Sequence, residues 1–142
     1  MSTAPLPNVE WPLIREFWLA AKEERLVIPR CDGCERYVWY PEEVCPGCGA
    51  NEIPWVAMGG KAQLYSWAQV KHPLYPPYKD QLPYITGLVI LEEAPAIRYV
   101  TRLVDCETTE LKIEMPMEVV YRELTFSGVE GSVVAPVFKP AR

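Results

Sequence analysis

Histidine is nearly missing from this chain: His72 is the only one in 142 residues. That excludes a metal site built from several imidazoles and leaves any proton relay a single imidazole candidate. Positive charge is short as well. Fourteen Lys and Arg face nineteen Asp and Glu, for a net charge of −5 and a pI near 5.0. A nucleic-acid binder needs a basic footprint to displace counterions, so this balance argues against one. No apolar run approaches the roughly 18 residues of a membrane span. The opening Met1-Ser2-Thr3-Ala4-Pro5 has neither the charged nor the apolar region of a secretory signal. The expected compartment is therefore the cytoplasm, where thiols stay reduced. No glycine-rich phosphate loop, serine-nucleophile motif or paired-carboxylate motif occurs.

Five cysteines are present, and four of them are ordered. Cys31-Asp32-Gly33-Cys34 and Cys45-Pro46-Gly47-Cys48 are two Cys-x-x-Cys pairs separated by ten residues. Four thiolates at this spacing converge on one tetrahedral ion, the geometry that zinc prefers. Each tight knuckle needs a residue tolerant of positive φ, a role that suits Gly33 and Gly47, and its N–H groups can point at sulfur. A rubredoxin-like iron site and a pair of disulfides remain the alternatives. With four protein ligands the site is closed, so the metal staples the fold rather than catalysing.

Apolar residues make up 49% of the chain, enough for a packed core. Fifteen prolines fall at joints and punctuate many short elements. Residues 1–9 read as an arm, since Pro5 and Pro7 oppose a helix. A helix is predicted over 12–25, with Pro12 in its first turn. Trp11, Ile14, Trp18 and Ala21 form one stripe at helical spacing, and Leu13, Phe17 and Ala20 a second. A helix so widely apolar either packs on the rest of the protein or docks on another chain through Trp11, Ile14, Phe17 and Trp18.

A strand over 26–30 leads into the first knuckle, and the aromatic stretch 37–41 roofs the metal and joins the two modules. Beyond Gly59-Gly60 the chain reads as short strands. Residues 62–70 alternate, with Tyr65 and Trp67 sharing a face. Residues 84–91 form a nearly continuous apolar run, the mark of a strand buried on both faces. Further strands are predicted over 97–104, 117–124 and 133–138. The proline- and tyrosine-rich stretch 72–83 is a loop long enough to suggest function. Five short strands in some eighty residues imply a small closed barrel. The expected organisation is an arm and helix over 1–26, a ribbon over 27–56 and a barrel over 57–142.

This layout resembles the zinc-ribbon plus OB-fold family long labelled "domain of unknown function 35". The stretches that carry the likeness are Leu26 with Arg30-Cys31-Asp32-Gly33-Cys34, Tyr40-Pro41 ahead of Cys45-Pro46-Gly47-Cys48, and Pro136-Val137-Phe138-Lys139-Pro140. The resemblance implies a mainly β fold with an N-terminal helix, a rubredoxin-like zinc ribbon and an OB-fold barrel. It implies a non-catalytic accessory subunit of a thiolase-superfamily acyl-CoA enzyme, in a hetero-tetramer whose catalytic residues lie in the larger partner. An acyl-CoA aldolase or hydratase complex is the alternative partner. Zinc and a shared coenzyme A thioester are the implied ligands. Lys71 and His72 would meet CoA phosphates, Tyr75 or Tyr78 would line the pantetheine arm, and Arg98 and Arg102 share a strand face as further cations. Two readings stand outside the family. In one, Tyr65 and Trp67 stack the bases of a single strand. In the other, Cys106 and His72 pair as nucleophile and base.

Overall fold

The computed structural model describes residues 6–142, so residues 1–5 of the arm lie outside it. The one α-helix among the described residues, α1, covers Arg15–Lys22, shorter than the predicted 12–25. Pro12 belongs to a preceding turn, in which the Ile14 and Arg15 N–H groups both donate to the Trp11 carbonyl, at 3.0 and 2.9 Å. The other end closes in a Schellman motif. Arg25 N–H donates to the Ala20 carbonyl and Glu24 N–H to that of Ala21, which requires a left-handed residue at Glu24, φ 57°. Phe17, Ala20 and Ala21 are buried on the inner face of α1.

Strand β1, Leu26–Pro29, pairs antiparallel with β2, Trp55–Met58. The loop between them holds all four ribbon cysteines. The remaining strands are β3 (Lys61–Val70), β4 (Tyr84–Leu91), β5 (Ala94–Leu103), β6 (Pro116–Leu124) and β7 (Val133–Pro140). They close a barrel in the order β3-β4-β5-β7-β6. Four of its five pairings are antiparallel, and β5 meets β7 in parallel. The closing contacts are short: β5 meets β7 at the single pair Leu103–Phe138, and β3 meets β6 over three pairs. Among the described residues no helix is long and apolar enough to cross a membrane.

Two strand expectations need correction. β4 is not buried on both faces: Ile85, Gly87, Val89 and Leu91 point inward, while Tyr84, Thr86, Leu88 and Ile90 are only half-buried on the outside. The other correction is in β3, whose register against β4 shifts between Leu64 and Ser66. A bulge reverses which side chains face in. Ala62 and Leu64 are inward before it; after it, Trp67 lies opposite Gly87 and packs against the core. Tyr65 stays exposed. The two aromatics therefore share no face, and the stacking pair of the nucleic-acid reading is lost.

One apolar core runs through helix, ribbon and barrel. Phe17 of α1, Leu26 and Ile28 of β1 and Met58 of β2 join Leu64, Val89, Tyr99, Met117 and Phe138 of the barrel. The ribbon's Trp39 seals the join: its ring centroid lies 5.3 Å from Phe17 and 5.2 Å from Tyr99. The aromatic stretch thus joins the modules as predicted. Burial also raises the Tyr99 phenol far above its ordinary pKa, so it stays protonated in the core.

Candidate metal centre and ligand face

Both knuckles are built alike. Cys31 carbonyl accepts from Glu35 N–H, and Cys45 carbonyl accepts from Gly49 N–H, each at 2.9 Å. The tight turn so formed aims the Gly33 N–H at Cys31 Sγ and the Gly47 N–H at Cys45 Sγ, both at 3.3 Å. The positive-φ positions are Glu35 and Gly49, one residue past each pair, rather than Gly33 and Gly47. Gly33 serves space instead: a Cβ there would lie 3.2 Å from both Cys48 Sγ and the Ala50 side chain.

The four sulfurs all lie within 4.8 Å of one another. Cys31 and Cys48 are 3.5 Å apart, Cys34 and Cys45 3.7 Å. Zinc–thiolate bonds of about 2.3 Å in a tetrahedron give sulfur–sulfur edges of about 3.8 Å. The cluster is therefore shaped for zinc, and none of its cysteines forms a disulfide. Its electrostatics agree. The Cys48 N–H, with that of Gly47, holds the Cys45 thiol down to about 6. Cys48 is pushed up to about 11: the Ala50 N–H pulls downward, but Cys31, Cys34 and Cys45 crowd it, with burial adding to the rise. Four sulfurs this close ionise together only around a cation. Cys31 and Cys45 are buried with Val38 in a separate small core, while Cys34 and Cys48 are exposed.

The residues expected to meet CoA divide into two groups. Lys71 and His72 are exposed and follow Val70, whose backbone pairs with Tyr84. Tyr75 packs at a tilt against Tyr78, centroids 5.8 Å apart, and Tyr78 reaches Tyr84 at 5.8 Å and Phe126 at 5.0 Å. The Arg102 guanidinium lies 4.4 Å over Tyr84, and its Nη1 donates to Gln81 Oε1. Gln81 in turn donates to the Thr125 carbonyl at 2.7 Å. Lys71, His72, Tyr75 and Arg102 thus border one loop end, which a short 3-10 helix, Pro76–Gln81, braces. Arg98 lies apart, four residues back along β5, roughly 13 Å at strand rise. It stacks 4.6 Å over Tyr65. Sequence reasoning missed Gln81, Tyr84 and Phe126 as supports of this end. Tyr84 opens an apolar run that hides its inward–outward alternation, Gln81 ends the 3-10 helix, and Phe126 lies in a loop, so none carries a periodic signal.

The expected docking set divides too. Phe17 is buried in the chain's own core, with Trp18 packed edge-on to it at 5.0 Å. Trp11 is 48% exposed, Ile14 is half-buried, and Leu19, absent from the expected set, is 42% exposed. Cys106 packs half-buried against the core. Desolvation first, then the charge of Glu110, raises its pKa. The other charged groups acting on it are Arg142, Asp105 and Glu107, and His72 is not among them. That arrangement does not activate a thiol.

The comparisons converge on this architecture. Residues 18–53 match the model of the rubredoxin-like zinc ribbon domain of ChsH2. Residues 55–122 match that of the ChsH2 C-terminal OB-fold domain. A probable enoyl-CoA hydratase alpha subunit of Thermomonospora curvata is 36% identical over 126 residues, 88% of this chain. The chain spans only 37% of that relative's length. A DUF35 domain-containing scaffold protein of Methanothermobacter thermautotrophicus is 26% identical, over 73% of this chain and 77% of its own. Among solved structures, a chain of the Ltp2-ChsH2(DUF35) aldolase superposes with a TM-score of 0.74 at 34% identity, over 96% of this chain and 98% of that one. A DUF35 protein from Sulfolobus solfataricus, TM-score 0.59 at 14% identity over 92% and 87%, shares the fold. With a ribbon of four converging sulfurs, a five-stranded closed barrel and full-length likeness to the aldolase chain, this protein belongs to the ChsH2-type DUF35 family of zinc-ribbon and OB-fold proteins.

Proposed function

We propose that this chain is the non-catalytic zinc-ribbon subunit of an acyl-CoA enzyme that cleaves or forms a carbon–carbon bond. Its larger partner is a thiolase-superfamily protein, and the two form a two-plus-two assembly. The observation that carries this reading is the 34% identity, over 98% of its length, to a chain whose structure is named as an Ltp2–ChsH2 aldolase. A CoA thioester lies at the loop end of the barrel, with Lys71 and His72 meeting phosphate and Tyr75 beside the pantetheine arm. The ribbon's thiolates fit the reducing cytoplasm. A hydratase complex is the second reading, favoured by the relative named as a hydratase alpha subunit.

Co-expression with a thiolase-superfamily large subunit from the same source tests the proposal. The expected product is a stable 2:2 complex that turns over CoA thioesters, inactive when either chain is omitted. Lys71→Glu should raise KM for the thioester about three- to fivefold and leave kcat unchanged, the size of one solvent-exposed charge contact. Turnover by the isolated chain would overturn the reading.

A further inference from the structure

The middle of the outer face of β3, β4 and β5 carries small and apolar side chains rather than charges. Ser66 and Ala68 of β3, Thr86 and Leu88 of β4 and Val100 of β5 line a shallow trough of about 230 Å³. Val100, beside Leu88 on the β5 flank, is 47% exposed. β4 has the composition of a strand covered on both sides, yet in this chain only its inner side is covered. Arg98 and Arg102 stand on β5 two residues before and after Val100, hence on the same face. Each is held flat on a tyrosine, Tyr65 or Tyr84.

Neither arginine meets a carboxylate among the described residues, although the chain carries net negative charge and pairs Arg25, Arg30, Arg122 and Arg142 with acids. Arg98 spends Nη1 on the carbonyls of Pro95 and Ile97, and Arg102 spends Nη1 on Gln81. The rest of each donor fork is available. Desolvation lowers the Arg102 pKa, so that cation sits half out of water without a counter-charge.

We propose that this face docks a protein segment of the large subunit, apolar at its centre and carrying a carboxylate toward each end. The inference rests on the function proposed above. The trough is too shallow for a small molecule, whose pockets run from about 300 Å³ upward and enclose most of the ligand. Small residues framed by arginine and tyrosine suit a protein interface instead. Two carboxylates about 13 Å apart, on alternate outward positions of a strand or two turns of a helix, would reach both guanidinium groups. Docking there would also bring the 71–83 loop against the partner.

The test uses the co-expressed complex, with zinc content and thermal unfolding confirming that each variant is folded. Val100→Glu and Arg98→Glu, both at exposed positions, should each weaken the affinity for the large subunit about tenfold or more. Arg98→Glu should also flatten the salt dependence of assembly. Binding within twofold of the unaltered chain for both variants would overturn the inference and leave the proposed function standing. So would unchanged assembly with weakened CoA-thioester binding, which would make the face a small-molecule surface. Failure of the unaltered chain to bind the large subunit would sink the proposed function and this inference together.

Discussion

Gly87 shows how one residue sets the spacing inside the barrel. It lies opposite Trp67 and Thr101 on neighbouring strands, and a Cβ there would come within 2.9–3.0 Å of the Leu103 side chain. Leu103 is itself buried, so the crowding cannot be relieved into solvent. Gly87→Ala should cost about 1–3 kcal/mol of stability, the usual penalty for overpacking a filled core, measured by denaturant unfolding. Cys106 allows a second prediction at this scale. Burial disfavours its thiolate, so its pKa is raised and its thiolate fraction near neutrality is reduced. Alkylation of the Cys106 peptide, followed by mass spectrometry, should be slower than that of a free thiol at pH 8. Its rate should still be rising at pH values where an ordinary thiol has levelled off.

At the scale of elements, α1 ends at a cost. Glu24 takes a left-handed conformation that glycine adopts freely and other residues only with strain. Its side chain is exposed and forms none of the observed ion pairs. Glu24→Gly should therefore stabilise the protein, by about 0.5 kcal/mol once glycine's greater unfolded-state entropy is subtracted. A rise in the thermal midpoint would show it, and a fall would contradict it. The termination at Glu24 was hidden in the sequence because no glycine marks it. β3 was legible from its alternation and β4 from its apolar run. β2 was not: four residues, Trp55–Met58, are too few to show a period. The bulge at Tyr65 was invisible for a related reason, since an inserted residue changes the phase of an alternation without changing its letters. β4 misled because composition reports hydrophobicity and not which of its faces the barrel covers. The convergence of the four ribbon cysteines was fully legible, since Cys-x-x-Cys spacing encodes its own geometry. The residues proposed to face CoA were legible only as a region, because loops place side chains through contacts such as Arg102 with Gln81 that no local pattern records.

For the molecule as a whole, the two cores are unequal partners. The ribbon's own core holds three buried residues, Cys31, Val38 and Cys45, with Ala50 and Ile53 against them. That is too little to order the 31–54 loop, so the metal must supply the folding energy. Chelation, or Cys31→Ser, should unfold the ribbon and lower the stability of the barrel with it, because Trp39 then leaves Phe17 and Tyr99. Calorimetry should show one transition for the zinc-loaded protein and a lower midpoint after metal removal. An unchanged barrel transition would mean the modules are energetically independent.

The packed rings of Phe17, Trp39 and Tyr99 also bear on how such a protein can be re-engineered. They fix the angle between ribbon and barrel, so a ribbon transplanted from a distant relative would arrive at the wrong tilt unless these aromatics travelled with it. Chimeras ought to be cut at the aromatic joint, with both sides of it inherited from one parent.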